Sequence, residues 1–395
     1  MSNSTNGSPS HSEKVFPVAG ETRQSGGVPV SKRLTSVDAL RGFDMMWLVG
    51  GGSVGWALGR MGDHPFWEGL SRQLRHPDWD GFTFYDLIFP LFIFLVGVSL
   101  VFSLGRAMET EGRQAAVQRI VRRSLLLFMI GIFYNGGFNR PIEEIRWTGV
   151  LQRIALCYCF AGILFCYFRP KALAWITGGL IVGYWMLMTF VPVPGIGPAS
   201  YEEGKNLANW FDSQFLPGRL WRETWDPEGF LSTLPAIATC LTGVFAGLLL
   251  QNPSIHGSRK SAWLIGMGAA GVLLGWLWGF QFPINKHIWT SSFVLLTSGL
   301  SALLLGVFHQ VIDVWKIRAW AVPFVWIGMN AITIYLAHNL IRFRDISLRL
   351  LGGDIQSALN EWSAGVGDLL VALGVLFLSF LLCWILHRKR IFLRL

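Results

Sequence analysis

Charge is scarce in this sequence. Acidic and basic residues together make up only 14% of its 395 residues, while 52% are hydrophobic. Soluble domains carry about 25% charged residues, and a water-soluble fold of this length has no interior large enough to hide so much apolar surface. Paired cysteines are also missing. Cys157, Cys159, Cys166, Cys240 and Cys383 all lie in apolar stretches and none forms a C-x-x-C pair. That pattern excludes a disulfide framework and a zinc ribbon and leaves buried, inert thiols. The eight histidines are scattered, with no two four residues apart, so no metal site is expected. Residues 1–32 are rich in Ser, Gly and Asn and lack an apolar core. They are not a signal peptide and read as a disordered tail. No repeat of fixed period is present.

What the sequence has is length of apolar run. A helical span needs roughly 20 mostly apolar residues. Ten stretches qualify, near 37–60, 83–105, 117–137, 147–168, 172–192, 230–251, 262–282, 288–311, 320–341 and 366–387. The expected fold is therefore all-α: a polytopic membrane protein of about ten helices over 33–395, preceded by the tail at 1–32. The longest connection, 193–229, carries Pro194, Pro198, Trp210, Trp221 and Trp225. Its prolines argue against one long helix, and it reads either as a substrate-facing lid or as a connector with interfacial Trp anchors. With the N-terminus placed inside, the inner segments hold 20 of the 33 basic residues and seven of the 24 acidic ones. By the positive-inside rule both termini are then cytoplasmic. The net charge of +9 follows this sidedness and does not point to nucleic acid.

Ionisable side chains at membrane depth are costly and mark candidate sites. On this topology several gather at the outer ends of spans: His76 and Asp86 around the start of the second, Arg153 in the fourth, Asn285 before the eighth, Asn330 and His338 in the ninth. One outer polar pocket collecting them is expected. His beside a carboxylate is the minimal general-base arrangement, because the acid fixes the imidazole tautomer and stabilises its charged form. Structural readings stand beside this one. Asp86 and Arg153 can form a buried ion pair, Asn285 can cap the eighth span, and Arg41 can snorkel to the inner surface with Asp38 offsetting it.

Three segments carry a resemblance: Ser36-Val-Asp38-Ala-Leu-Arg41-Gly42; His76-Pro-Asp-Trp79-Asp-Gly81, running into Tyr85-Asp86-Leu-Ile-Phe-Pro90; and Gly149-Val-Leu-Gln152-Arg153. Pro283-Ile-Asn285-Lys286 with Trp289, and Gly328-Met-Asn330 through Tyr335 to His338, add to it. Over about residues 33–390 the chain resembles the heparan-α-glucosaminide N-acetyltransferase family, in its bacterial branch. The H-x2-W-x-G block followed by D-L-x-F-P is the specific part.

That resemblance implies a transmembrane acyltransferase. It would take an acetyl group from cytosolic acetyl-CoA and place it on the amine of a glucosamine-type sugar or glycan across the membrane. His76 would be the general base or an acetyl-carrying nucleophile, with Asp86 orienting it. Trp79, Arg153, Asn285, Lys286, Asn330 and His338 would bind substrate or the oxyanion, and Asp38 and Arg41 would meet the CoA co-substrate near the inner face. It further implies a bacterial cytoplasmic membrane, with a homodimer possible. The family's lysosomal members carry Asn at the outer end of the first span, where this chain has Gly52. The rival reading is an amino-sugar or oligosaccharide transporter without chemistry. It requires the same polar pocket and Gly-broken helices, and more often shows inverted repeats.

Overall fold

The computed structural model describes residues 34–392 apart from residue 63, so the tail expected at 1–32 lies outside the described residues. Fifteen α-helices follow one another: α1 Thr35–Leu58, α2 Pro65–Gln73, α3 Phe84–Thr110, α4 Arg113–Tyr134, α5 Val150–Tyr167, α6 Pro170–Phe190, α7 Leu207–Phe215, α8 Thr233–Gln251, α9 Gly257–Trp278, α10 Ser291–Phe308, α11 Val322–Gly328, α12 Ala331–Ile341, α13 Phe343–Leu351, α14 Asp354–Trp362 and α15 Val366–Arg388. Among the described residues, β-pairing is confined to the isolated bridges Arg146–Gly218 and Val193–Gly197. The all-α expectation holds.

Helices occupy all ten expected places, but fewer pass as spans. Among the described residues seven are long and apolar enough to cross a membrane, or eight if α11 and α12 count as one broken span. Helices α1 and α4, with 24 and 22 residues, are long enough and miss on composition. The first carries Asp38, Arg41 and Asp44, and the second carries Arg119, Arg122 and Arg123. The expected count of ten is therefore not reproduced. The ninth stretch is two helices bent by 68° at Met329–Asn330.

Burial sorts the bundle into centre and periphery. In its most apolar stretch α3 is 78% buried and α8 is 72%, against 22% for α9 and 28% for α15. The peripheral helices expose Trp175, Trp263, Met267 and Phe377, an apolar surface that fits contact with lipid. Small residues let the central backbones touch. A Cβ on Gly97 of α3 would lie 1.9 Å from the Cys240 carbonyl oxygen of α8, and one on Gly42 of α1 would lie 1.7 Å from that of Phe324 in α11. Close approach of this kind replaces the hydrophobic driving force that lipid does not supply.

The two ends of the bundle differ. At the Thr35 end the connections are short, and the Ser36 backbone N–H donates to Asp313 (3.1 Å) at the end of the 309–314 π-helical turn after α10. The opposite end carries the long connections 59–83, 191–232 and 279–290, which are tied to one another. Gly81 N–H donates to Ile284 O (3.0 Å), and Trp79 Nε1–H donates to Tyr201 O (2.9 Å).

Candidate active site at the His76 end of the bundle

Helix α3 begins with a capping box, and one of its members belongs to the site. The Thr83 backbone N–H donates to Asp86 Oδ2 (3.0 Å), as does the Thr83 hydroxyl (3.1 Å). Such a box satisfies donors that the helix start leaves free. It also locks the Asp86 rotamer and aims Oδ1 outward, where the oxygen meets His76 Nδ1 at 2.6 Å. Four residues on, Pro90 has no N–H for the Asp86 carbonyl, so the first turns of α3 are loosened where this carboxylate sits. Asp86 is fully buried, whereas 41% of the His76 side chain is exposed.

Two more groups hold the imidazole. The Tyr85 ring stacks on it, with centroids 4.7 Å apart and planes at 29°. Lys286 Nζ lies 3.2 Å from Nδ1 and 3.1 Å from Nε2. No position in the ring plane is that close to both nitrogens without striking Cε1, so the amine sits over the ring face. It is also 3.5 Å from Asp86 Oδ1. Desolvation lowers the His76 pKa below the usual imidazole range; the bond to Asp86 opposes this, and the Lys286 charge adds to it. Lys286 is itself held below the ordinary lysine range by burial, which the Asp86 and Glu228 charges counter. A neutral imidazole whose Nδ1–H faces a carboxylate keeps its reactive lone pair on Nε2.

The 279–290 connection that presents Lys286 is ordered by Asn285. Its Oδ1 accepts from Ile288 N (3.2 Å) and its Nδ2 donates to Asp80 Oδ1 (2.9 Å). Asn285 does not cap α10; Thr290 does, accepting from Phe293 N. The neighbouring His287 stacks flat on Trp79, at 5.3 Å and 1°, and edge-on against the buried Trp225. Burial, then the Lys286 charge, pushes its pKa down to about 4, so it is a neutral, structural imidazole at ordinary pH. A cavity of about 580 Å³ opens beside the site, lined by Gly59, Ser71, Arg72, Arg75, His76 and Thr83 among others. Ligand sites commonly measure about 300–1,000 Å³.

The residues expected from the sequence divide here. His76, Asp86 and Lys286 meet directly, and Trp79 and Asn285 brace them. Arg153 does not pair with Asp86. It donates to Gly229 O (3.0 Å) and to Ser232 Oγ, and its guanidinium lies 5.0 Å from the Trp289 ring, three residues after Lys286. Asn330 sits at the α11–α12 break, with Oδ1 buried and unpartnered, and His338 lies near Phe343. Among the described residues no hydrogen bond or ring contact joins either to His76. Asp38 and Arg41 meet at 3.1 Å toward the Thr35 end. Arg41 also reaches Ser99 Oγ (2.5 Å) and the Gly328 carbonyl (3.4 Å) that the helix break leaves without a helical partner.

Other participants lay outside the sequence reading. Arg146 grips Asp226 through two bonds of 2.8 Å and Glu228 through one of 2.7 Å, which pins the 193–229 connection over the site. Asp226 is held below the ordinary carboxylate range: desolvation opposes this and is outweighed by Arg146. Glu228 is pushed above that range by burial and by the Asp226 charge. Tyr85 stood inside the recognised block without an assigned role. A Cβ at Gly52 would lie 3.4 Å from its hydroxyl, so any side chain at position 52 faces the ring that supports His76. Among the described residues no group of three His, Cys, Asp or Glu is placed to hold a metal ion.

A family model described as heparan-alpha-glucosaminide N-acetyltransferase, catalytic, matches residues 33–275. The mouse (Mus musculus) heparan-alpha-glucosaminide N-acetyltransferase is 28% identical over 397 residues, covering 86% of this chain and 58% of the mouse protein. The human (Homo sapiens) protein of that name is 28% identical over 365 residues, covering 78% of this chain and 53% of its own. The chain thus spans a little over half the length of these curated relatives.

Proposed function

Because the chain belongs to the heparan-alpha-glucosaminide N-acetyltransferase family, we propose that it is a membrane-embedded acetyltransferase using acetyl-CoA. In this reading acetyl-CoA arrives at the Thr35 end, and the acetyl group passes to the amine of a glucosamine-type sugar at the His76 end. His76 Nε2 is the acting atom. The observation that carries the reading is the 2.6 Å bond from Asp86 to His76 Nδ1 on the rim of a sugar-sized cavity. A transporter needs only a polar pocket, whereas acyl transfer also needs an imidazole oriented by a carboxylate, and this site has one.

The chemistry forms an amide C–N bond and breaks the thioester C–S bond; the amine loses a proton and the thiolate gains one. As a base, Nε2 takes the proton from the attacking amine and returns it to the leaving sulfur. As a nucleophile, it holds the acetyl group between thioester and sugar, since an N-acylimidazole remains reactive. In both cases Asp86 stabilises the cationic ring, and Lys286 lies close enough to offset the developing oxyanion. Asp38 and Arg41 are assigned to the donor. Arg41's contact at Ser99 lies thirteen residues along α3 from Asp86, about 20 Å at 1.5 Å per residue. Between them runs an apolar crevice lined by Met45, Leu48, Phe89, Phe92, Ile154 and Tyr335, which supports a route for the donor's arm. Its free volume is about 10 Å³, so α1, α3, α5 and α12 must part to pass an acetyl group.

The test uses purified protein in nanodiscs with [14C]acetyl-CoA, in wild-type and His76→Ala forms. Label retained after denaturation by wild type alone marks the covalent path. Turnover only on adding glucosamine, without retained label, marks direct transfer with His76 as base. Absence of CoA binding and of transfer in folded protein overturns the acetyltransferase reading.

A further inference from the structure

The cavity beside His76 has a wall with two unlike faces. Helix α2 turns Glu68 and Arg72 toward the cavity. Phe66 and Leu70, each two residues back and so about 200° around the helix, are 59% and 40% exposed. The helix is pinned to the last turns of α1: the Ser71 hydroxyl donates to Gly55 O (2.8 Å), and Leu74 packs on Gly55. It therefore lies at the end of α1 against which α15, long and apolar enough to cross a membrane, begins. Two exposed tryptophans share that level. Trp56 stands near the end of α1 under the Arg60 guanidinium, 4.9 Å from it. Trp362 ends α14, which reaches α1 through Gly365, packed against the backbone of Ala57, Arg60 and Met61.

An apolar helix face at this depth, flanked by tryptophan, is the arrangement of a helix lying in the membrane interface. Helix α15 packs on α1, is long and apolar enough to cross a membrane, and exposes Leu373 and Phe377; the lipid that covers those side chains, reaching the level of Trp56, is the occupant of the α2 face. The consequence concerns the acceptor. A helix is about 10 Å across with its side chains, so a sugar in the cavity sits one helix width from the hydrocarbon.

We infer that the acceptor is a lipid-linked amino sugar, its glycan head entering over α2 to His76 while its tail stays in the bilayer beside Phe66 and Leu70. This inference rests on the acetyl-transfer reading of the site and narrows its substrate class.

The test compares two acceptors with one sugar: methyl glucosaminide, free in water, and octadecyl glucosaminide, carried in phosphatidylcholine vesicles with the enzyme. With acetyl-CoA in excess, kcat/KM for the octadecyl compound is expected to exceed that for the methyl compound at least tenfold. Its rate should follow its mole fraction in the bilayer and not its bulk concentration. Phe66→Ser with Leu70→Ser is expected to lower the octadecyl-to-methyl ratio at least tenfold, the methyl rate reporting how much folded enzyme is present. Equal use of both acceptors, or an unchanged ratio in the double variant, overturns the lipid-linked acceptor and leaves the transferase standing. Transfer to neither, with no acetyl-CoA bound, overturns the transferase reading itself.

Discussion

Asp86→Asn isolates the contact on which the proposed chemistry depends. The carboxylate divides its work between two oxygens: Oδ2 accepts from the Thr83 backbone and hydroxyl, and Oδ1 meets His76 Nδ1 at 2.6 Å. Asparagine keeps an oxygen for the helix cap, so α3 should start where it does now. The amide's other end is an NH2 group, which donates. Placed against Nδ1, it draws the lone pair to that nitrogen and puts the proton on Nε2, the wrong tautomer for a base or nucleophile. A hydrogen bond to a charged group contributes about 1.5–3 kcal/mol, and each 1.36 kcal/mol is tenfold in rate. The loss in kcat is therefore about tenfold to 150-fold from the bond alone, and larger once the tautomer switches. The pH profile gives an independent readout. His76 acts when neutral, so activity falls as pH drops through its pKa, which lies below the usual 6.5. The Asp86 bond raises that pKa, so removing it moves the acid limb further down. The assay is labelled acetyl transfer to glucosamine in proteoliposomes across pH 4–8, with thermal unfolding alongside. Thr83→Val serves as the control for the Oδ2 side; it also removes the hydroxyl's bond to the Arg75 carbonyl (2.7 Å) and does not touch the Oδ1 contact. Asp86→Asn with wild-type kcat, or with a loss no greater than its loss of folded protein, would refute the role given to Oδ1.

Other outcomes follow from the same geometry. Lys286→Met removes a positive charge that lowers the His76 pKa, so the acid limb of kcat/KM should move upward, opposite to Asp86→Asn, while kcat falls through loss of oxyanion support. Asp212, whose pKa burial raises to about 7, binds its proton more tightly folded than unfolded. Its contribution to stability is complete below about pH 4 and is lost as pH rises toward 7; the gap in melting temperature between Asp212→Asn and wild type should widen over that interval in the variant's favour. Arg146→Ala leaves the Asp226 and Glu228 carboxylates together without their cation. Breaking a buried pair costs about 3–5 kcal/mol, and it should show as protease sensitivity of the 193–229 connection.

The division between sequence and tertiary structure follows from the range over which each acts. Apolar run length and the bias of Arg and Lys are local properties, and they placed helices at all ten sites. Composition also explains where span status fails, since Asp38, Arg41 and Asp44 in α1 and the arginines of α4 are visible in the sequence. The His76–Asp86 pairing was expected from the family resemblance, while position alone left Asp86 equally open to Arg153; the capped start of α3 is what turns Asp86 to His76. Lys286 stands 210 residues from His76, and the sequence offered it only as one of several polar groups at the right end of a span. Its position over the imidazole face depends on how α9 and α10 pack and on the turn that Asn285 holds. Arg153 shows the reverse: equally eligible by position, it is turned toward Gly229 and Ser232. A period of 3.6 residues says which face a side chain occupies and not which neighbour that face meets. The 68° break at Asn330 was likewise not read from Gly328 and Asn330 within one apolar stretch; in the structure Arg41 of a distant helix meets the Gly328 carbonyl there. Apolar run length determined the membrane helices. Only helix packing decided which cation faces the acid–imidazole pair and which carboxylates pin the connection above it.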